Sequence, residues 1–333
     1  MSRSVSVSST CKEARVRFRR IIGILIGFLL LAGCTVPASP QEPKTLKIGV
    51  LPITDVVPAY VAQEQGYYAD EGIEVQLVPV ASGAERDSLI QAGGIDGELN
   101  ELITTILTNA GSETKVRVVT TARRPFPDVP LFFILSSPGS GITSAEQLKG
   151  VEIGISENTV IEYVTDRVLQ RQGFQPDEIV FTNVPRIPVR LELLLNDQLK
   201  AAVLPDPLAS LAQMQGARVV LTDNVYPEVS LSVLSFREDI LKDRPNTVRA
   251  FLRAWDKAVA DINADPRKFR NLLIEKARVP EPLQDRYDLP PFPEKELPSE
   301  AQVEDVVDWA LEKGLISQPM GYEEVVDPAF RRQ

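Results

Sequence analysis

"LIQAGGIDGELN" occupies residues 89–100, and "LLLNDQLKAAVL" occupies residues 193–204. Both read as an apolar helix end, a polar turn and a short apolar strand. Leu89 and Ile90 match Leu193 and Leu194, and Gly93 to Gly97 line up with Asp197 to Ala201. A second pair of stretches keeps nearly the same offset: Lys47-Ile48-Gly49-Val50 matches Glu152-Ile153-Gly154-Ile155. The pattern around them repeats too. Strands are predicted over 45–52, 72–80, 94–99 and 115–122, with helices over 56–68, 85–92 and 100–110. A second set follows, with strands over 150–156, 178–184, 200–205 and 217–222 and helices over 159–172, 188–195 and 208–215. Such alternation implies an α/β chain of two lobes, each a mainly parallel sheet with helices on both faces. Ligands of such lobes sit at the carboxyl ends of the strands, in the crevice between them.

Two further strands, in 130–141 and 229–241, read as the joints, and both are assigned to the first lobe. The expected layout is lobe 1 over 45–137 and 223–333, and lobe 2 over 138–222. A helix from Pro245 to Ile262 carries Val248, Phe251, Leu252, Trp255 and Val259 on one stripe, and Asp265-Pro266 ends it. Another runs from Ser299 to Lys313. Trp255 and Trp309 are expected in the core. The stretch 279–298 is Pro-rich and irregular, and the packing of residues 279–333 is open.

The N-terminus reads as an address. Arg3, Lys12, Arg15, Arg17, Arg19 and Arg20 precede an apolar run from Ile21 to Ala32. That run is shorter than the roughly 20 residues a membrane-spanning helix needs, and it fits a secretory signal. Leu31-Ala32-Gly33-Cys34 resembles a bacterial lipobox, which implies a signal peptide over 1–33, lipid on Cys34 and an extracytoplasmic, membrane-anchored protein. Residues 34–44 read as a tether.

Composition excludes several functions. Among 333 residues there is no histidine, and Cys11 and Cys34 are the two cysteines. Imidazole-based catalysis and a His/Cys zinc site are therefore ruled out, and no metal or cofactor is expected. The formal charge of −10 and the lack of a basic patch argue against nucleic acid as a partner.

Three segments carry a family resemblance: "AYVAQEQGYYADEGIEVQLVPVASGAERDSLIQAGGIDGEL" (59–99), "GITSAEQLKGVEIGIS" (141–156) and "LKDRPNTVRAFLRAWDKAVADINADP" (241–266). Together they resemble the solute-binding lipoproteins of ABC importers, in the nitrate/sulfonate/taurine and thiamine-pyrimidine precursor class. The resemblance covers residues 45–275. It implies a type II periplasmic-binding-protein (Venus flytrap) fold. It also implies a monomer, without enzymatic activity, that captures a small molecule and delivers it to a permease and its ATPase. Carried over position by position, it implies ligand contacts from Pro52, Thr54, Asp55, Glu98, Asn100 and Arg123 in lobe 1. In lobe 2 it implies Glu157, Asn158, Thr159 and Asp206. Leu204-Pro205 replaces the aromatic residue that relatives often carry before that acid, which leaves an aromatic wall there in doubt. Asp55, Glu98, Glu157 and Asp206 face the Arg123-Arg124 pair, an excess of carboxylates. The expected ligand is therefore a neutral or cationic heterocycle such as a thiamine-pyrimidine precursor. The alternatives are nitrate, a sulfonate or taurine, and beyond those a sensor lipoprotein or an enzyme on the same fold.

Overall fold

The computed structural model describes Met1 and residues 42–331. The expected signal peptide, Cys34 and all but the last three residues of the tether lie outside the described residues. In the first half of the chain, β1 (Thr45–Val50), α1 (Val57–Glu64), β2 (Glu74–Pro79), α2 (Gly83–Gln91), β3 (Gly97–Glu101), α3 (Leu102–Gly111) and β4 (Val116–Arg123) follow one another. The second set is β5 (Phe132–Ser136), β6 (Glu152–Ile155), α4 (Val160–Arg171), β7 (Val180–Asn183), α5 (Ile187–Leu195), β8 (Ala201–Pro205), α6 (Leu208–Met214) and β9 (Arg218–Thr222). Then come β10 (Ser232–Arg237), α7 (Pro245–Ala264), α8 (Arg270–Lys276) and α9 (Glu300–Glu312).

These strands build two five-stranded sheets of one topology. The first runs β2-β1-β3-β10-β4 and the second β7-β6-β8-β5-β9. The quoted repeat is thus the pair β3 and β8 with the helices before them, and β1 corresponds to β6. Both sheets are mixed, because β10 and β5 run antiparallel to both their neighbours. The remaining pairings are parallel.

Strand pairing corrects one expected boundary. Phe132–Ser136, expected in lobe 1, pairs with β8 and β9 in the second sheet. The chain therefore crosses between lobes before residue 132, and the crossing strands are exchanged: β5 completes lobe 2, and β10 returns to complete lobe 1. Local sequence marks a strand, whereas its partner is set by register and by which face it buries.

The C-terminal helices bind this frame together. In α7 the predicted stripe is buried, and Phe251 stacks on Tyr68 with ring centroids 5.5 Å apart. Ser299 caps α9 by accepting from the Gln302 N–H at 3.2 Å, and Gln302 Oε1 accepts from the Ser299 N–H at 2.8 Å. Val303, Val306, Val307 and Trp309 of α9 join one hydrophobic cluster with Ile103 and Ile106 of α3 and Tyr163 and Val164 of α4. Trp309 Nε1 donates to Asp166 Oδ2 at 2.8 Å. The segment left open by sequence therefore spans both lobes, and both tryptophans are core residues.

Candidate functional site between the lobes

Parallel strands bring their carboxyl ends to one edge of each sheet, and the antiparallel β5 and β10 bring their beginnings to that same edge. A cavity of about 160 Å³ lies where the two edges meet. Lobe 1 contributes Ile53 and Asp55 after β1, Glu101 at the end of β3, Arg123 at the end of β4 and Ser232 at the start of β10. Lobe 2 contributes Phe132 at the start of β5, Val160 and Ile161 at the start of α4, and Ile187 at the start of α5. Pro205 and Asp206 complete the wall after β8. Most of the wall is aliphatic or aromatic.

Its polar groups are few and largely committed. Arg123 Nη1 donates to Asp55 Oδ1 at 2.9 Å, and both side chains are buried. Burial opposes the Arg123 charge, but Asp55, with Tyr287 and Asp206, more than offsets it and raises the guanidinium pKa. Burial pushes the Asp206 carboxyl up, opposed by hydrogen bonds from the Ser210 hydroxyl at 2.8 Å and N–H at 2.9 Å and by the charge of Arg123. Burial likewise raises Glu101, opposed by Arg86 at 3.7 Å. Arg124, the other expected cation, turns away to Glu296 at 2.7 and 2.9 Å. The cavity therefore holds three carboxylates and one guanidinium, and that guanidinium is already paired. No group of three or more Asp, Glu, His or Cys side chains suited to a metal occurs among the described residues.

Of the residues expected from sequence, the structure brings Asp55, Arg123 and Asp206 together at the cavity. Pro52 and Thr54 belong to the same loop but are not part of the wall. Glu98 and Asn100 lie inside lobe 1 instead. Asn100 Nδ2 donates to Glu98 Oε1 at 2.8 Å and Thr105 Oγ1 at 3.1 Å, and Ser235 Oγ donates to Asn100 Oδ1 at 2.9 Å. Burial pushes the Glu98 carboxyl up to about 7, offset by Arg86 at 3.4 Å. Glu157, Asn158 and Thr159 shape the start of α4 rather than the wall. Thr159 Oγ1 accepts from the Ile161 N–H at 3.2 Å, Asn158 adopts a left-handed φ of 59°, and Glu157 is exposed. The next two residues, Val160 and Ile161, face the cavity.

Sequence reasoning missed Glu101, Phe132, Ser232 and Tyr287. Glu101 sits one residue beyond the selected Asn100. Phe132 and Ser232 reach the edge only because their strands run backwards. Tyr287 comes from the Pro-rich segment, packs on the lobe 1 core and is partly buried. Burial raises its pKa, reinforced by Asp206 and opposed by Arg123, which places it beside the polar end of the cavity.

Residues 53–269 match the family described as NMT1/THI5 like. The chain belongs to the NMT1/THI5-like family. Among relatives of this NMT1/THI5-like chain, the bicarbonate-binding protein CmpA of Synechococcus elongatus is 32% identical over 124 residues, covering 35% of this chain and 25% of CmpA. The 4-amino-5-hydroxymethyl-2-methylpyrimidine phosphate synthase THI11 of Saccharomyces cerevisiae is 26% identical over 231 residues, covering 64% of each protein. The chain thus spans less than two thirds of either relative. The crystal structure of the periplasmic aliphatic sulphonate binding protein SsuA from Escherichia coli matches with a TM-score of 0.72 at 20% identity. The match covers 86% of this chain and 93% of that one. It establishes the type II periplasmic-binding-protein fold for this family member.

Proposed function

We propose that this NMT1/THI5-like chain is the solute-binding component of an ABC-type importer. It captures one small molecule between its lobes, closes around it and presents it to a permease driven by an ATPase. It works as a monomer outside the cytoplasm, tethered through lipid on Cys34. Closure needs no chemistry on the ligand: a solute that touches both lobes favours the closed state by its differential contacts. The two crossings between the sheets serve as the hinge.

The observation that carries the ligand reading is the committed Arg123–Asp55 pair in a cavity otherwise bearing Glu101 and Asp206. In the cavity wall itself a small oxyanion would meet three carboxyl groups and no unpaired cation, which is unfavourable in a buried site. Size adds a second constraint. An apolar cavity of roughly 150 Å³ holds benzene, so about 160 Å³ suits a single ring. A compact neutral or cationic heterocycle of the pyrimidine-precursor kind meets both conditions. The relative named as a bicarbonate binder and the structure named as a sulphonate binder favour the alternative, a small anion. The yeast relatives are named synthases. The absence of histidine from this chain supports binding rather than imidazole chemistry.

Calorimetry of the purified protein with aminopyrimidines, alkanesulfonates, nitrate and bicarbonate tests the proposal. Binding of the pyrimidine class supports it. Tight binding of nitrate or a sulfonate, with none for pyrimidines, overturns the ligand assignment, and turnover of any bound compound overturns the transport role.

A further inference from the structure

The internal repeat places an arginine at the same point of each lobe. Arg86 stands on α2 and Arg190 on α5, and both are buried, at 2% and 0% exposure. Each side-chain stem crosses a strand glycine. A Cβ on Gly49 would lie 3.5 Å from Arg86 Cγ, and one on Gly154 would lie 3.4 Å from Arg190 Cγ and Cδ. Strand register confirms the equivalence, since Gly49 pairs with Glu98 and Gly154 with Ala202.

The charge around the two arginines differs. Arg86 donates to Asp87 at 3.0 and 2.9 Å and lies 3.4 Å from Glu98 and 3.7 Å from Glu101. The residues at the corresponding places around Arg190 are Leu191, Ala202 and Pro205. Arg190 Nη1 donates to Ser156 Oγ and to the Val184 carbonyl, both at 2.9 Å. Its Nε and Nη2 have no hydrogen-bond partner among the described residues. Burial alone lowers its pKa to about 10. A buried guanidinium without a counter-charge is strongly unfavourable.

Its position points to what completes it. Ser156 and Val184 directly follow β6 and β7, so the guanidinium is buried beneath the edge of the second sheet that carries those strand ends, behind the cavity wall. Ile187, one turn earlier on α5, lines the cavity, as does Pro205, the counterpart of Glu101. Where lobe 1 sets a carboxylate between its arginine and the cavity, lobe 2 sets a proline.

We infer that Arg190 anchors an anion subsite beneath the cleft edge of lobe 2, filled by an acid group that does for Arg190 what three carboxylates do for Arg86. The inference rests on the cleft being the binding site, but not on the ligand proposed for the cavity. The acid group is a phosphate-like or carboxylate-like oxyanion, either free in solution or a substituent of the captured solute.

The test uses the full chain and two substitutions, Arg190→Gln and Pro205→Glu; the second supplies the missing carboxylate and keeps the arginine. Thermal unfolding is followed with inorganic phosphate, with 4-amino-5-hydroxymethyl-2-methylpyrimidine and with its phosphate ester, against sodium chloride at equal ionic strength. The expected result is a midpoint rise of several degrees with a phosphate source that both substitutions abolish. A rise with free phosphate assigns the subsite to a free anion, and a rise with the ester alone assigns it to the solute. No rise from either source, or a rise that survives in the variants, overturns the inference. The parent pyrimidine separates this from the function proposed above: its binding, unchanged in Arg190→Gln, leaves that function standing while the subsite fails. Should Arg190→Gln fail to fold, crystals of the unsubstituted chain grown in sodium bromide decide. An anomalous peak beside Nη2 supports the subsite, and water alone at that position overturns it.

Discussion

Replacing Arg123 with methionine tests whether the cavity is sealed. Its guanidinium meets Asp55 at 2.9 Å, with the two side chains only 5% and 11% exposed. Removing the cation leaves Asp55 buried without its partner and takes away the attraction that opposes the raised pKa of Asp206. Breaking a buried pair from one side costs about 3–5 kcal/mol, because the remaining charge loses its compensation. Lys257→Met supplies a surface control: its contact with Asp70 spans 3.5 Å between side chains 55% and 66% exposed. Such pairs contribute about 0–1 kcal/mol. Urea unfolding should therefore show a loss of about 3–5 kcal/mol for Arg123→Met and under about 1 kcal/mol for Lys257→Met. Adding Asp55→Asn to Arg123→Met should recover part of the loss, since no orphaned carboxylate then remains. A loss for Arg123→Met as small as that of the control would refute the reasoning: water would be reaching the pair, and the carboxylate excess would be screened.

Three other outcomes follow from the same structure. Glu98 has a folded-state pKa near 7, above its ordinary value, so the folded protein holds its proton more tightly than the unfolded chain. Its contribution to stability is present at low pH and is lost as pH rises through about 7; unfolding at pH 5 and pH 7.5 should differ by about 1–3 kcal/mol from this residue, and Glu98→Gln should remove that share. Tyr287→Ala should weaken binding of whichever solute the calorimetric screen identifies by about tenfold, close to 1.4 kcal/mol, with far-UV circular dichroism unchanged. Trp309→Phe deletes the donor to buried Asp166 together with the pyrrole half of the buried indole, and chemical unfolding should register a loss of at least about 1–3 kcal/mol.

The lobes were legible in the sequence because β1, β3, β6 and β8 are buried runs whose glycines and turns recur at a steady offset. Helices α7 and α9 were legible from their stripes, since a helix face is recorded every three to four residues. Asp55, Arg123 and Asp206 could be chosen because they follow strand ends, and strand ends face the cleft. Glu98 and Asn100 misled for a related reason. Polar residues at a strand end can turn toward the cleft or inward beneath a helix, and Arg86 and Ser235 draw these two inward.

The sequence by itself determined the local elements and the doubling of the plan, because each is written in neighbouring residues. Only the tertiary structure decided that β5 belongs to the second sheet, that Phe132 and Ser232 reach the cavity, and that Arg86 is neutralised while Arg190 is not. These outcomes depend on strand direction, register and distances between residues far apart in the chain. Local sequence carries no record of them until the two sheets have formed and met.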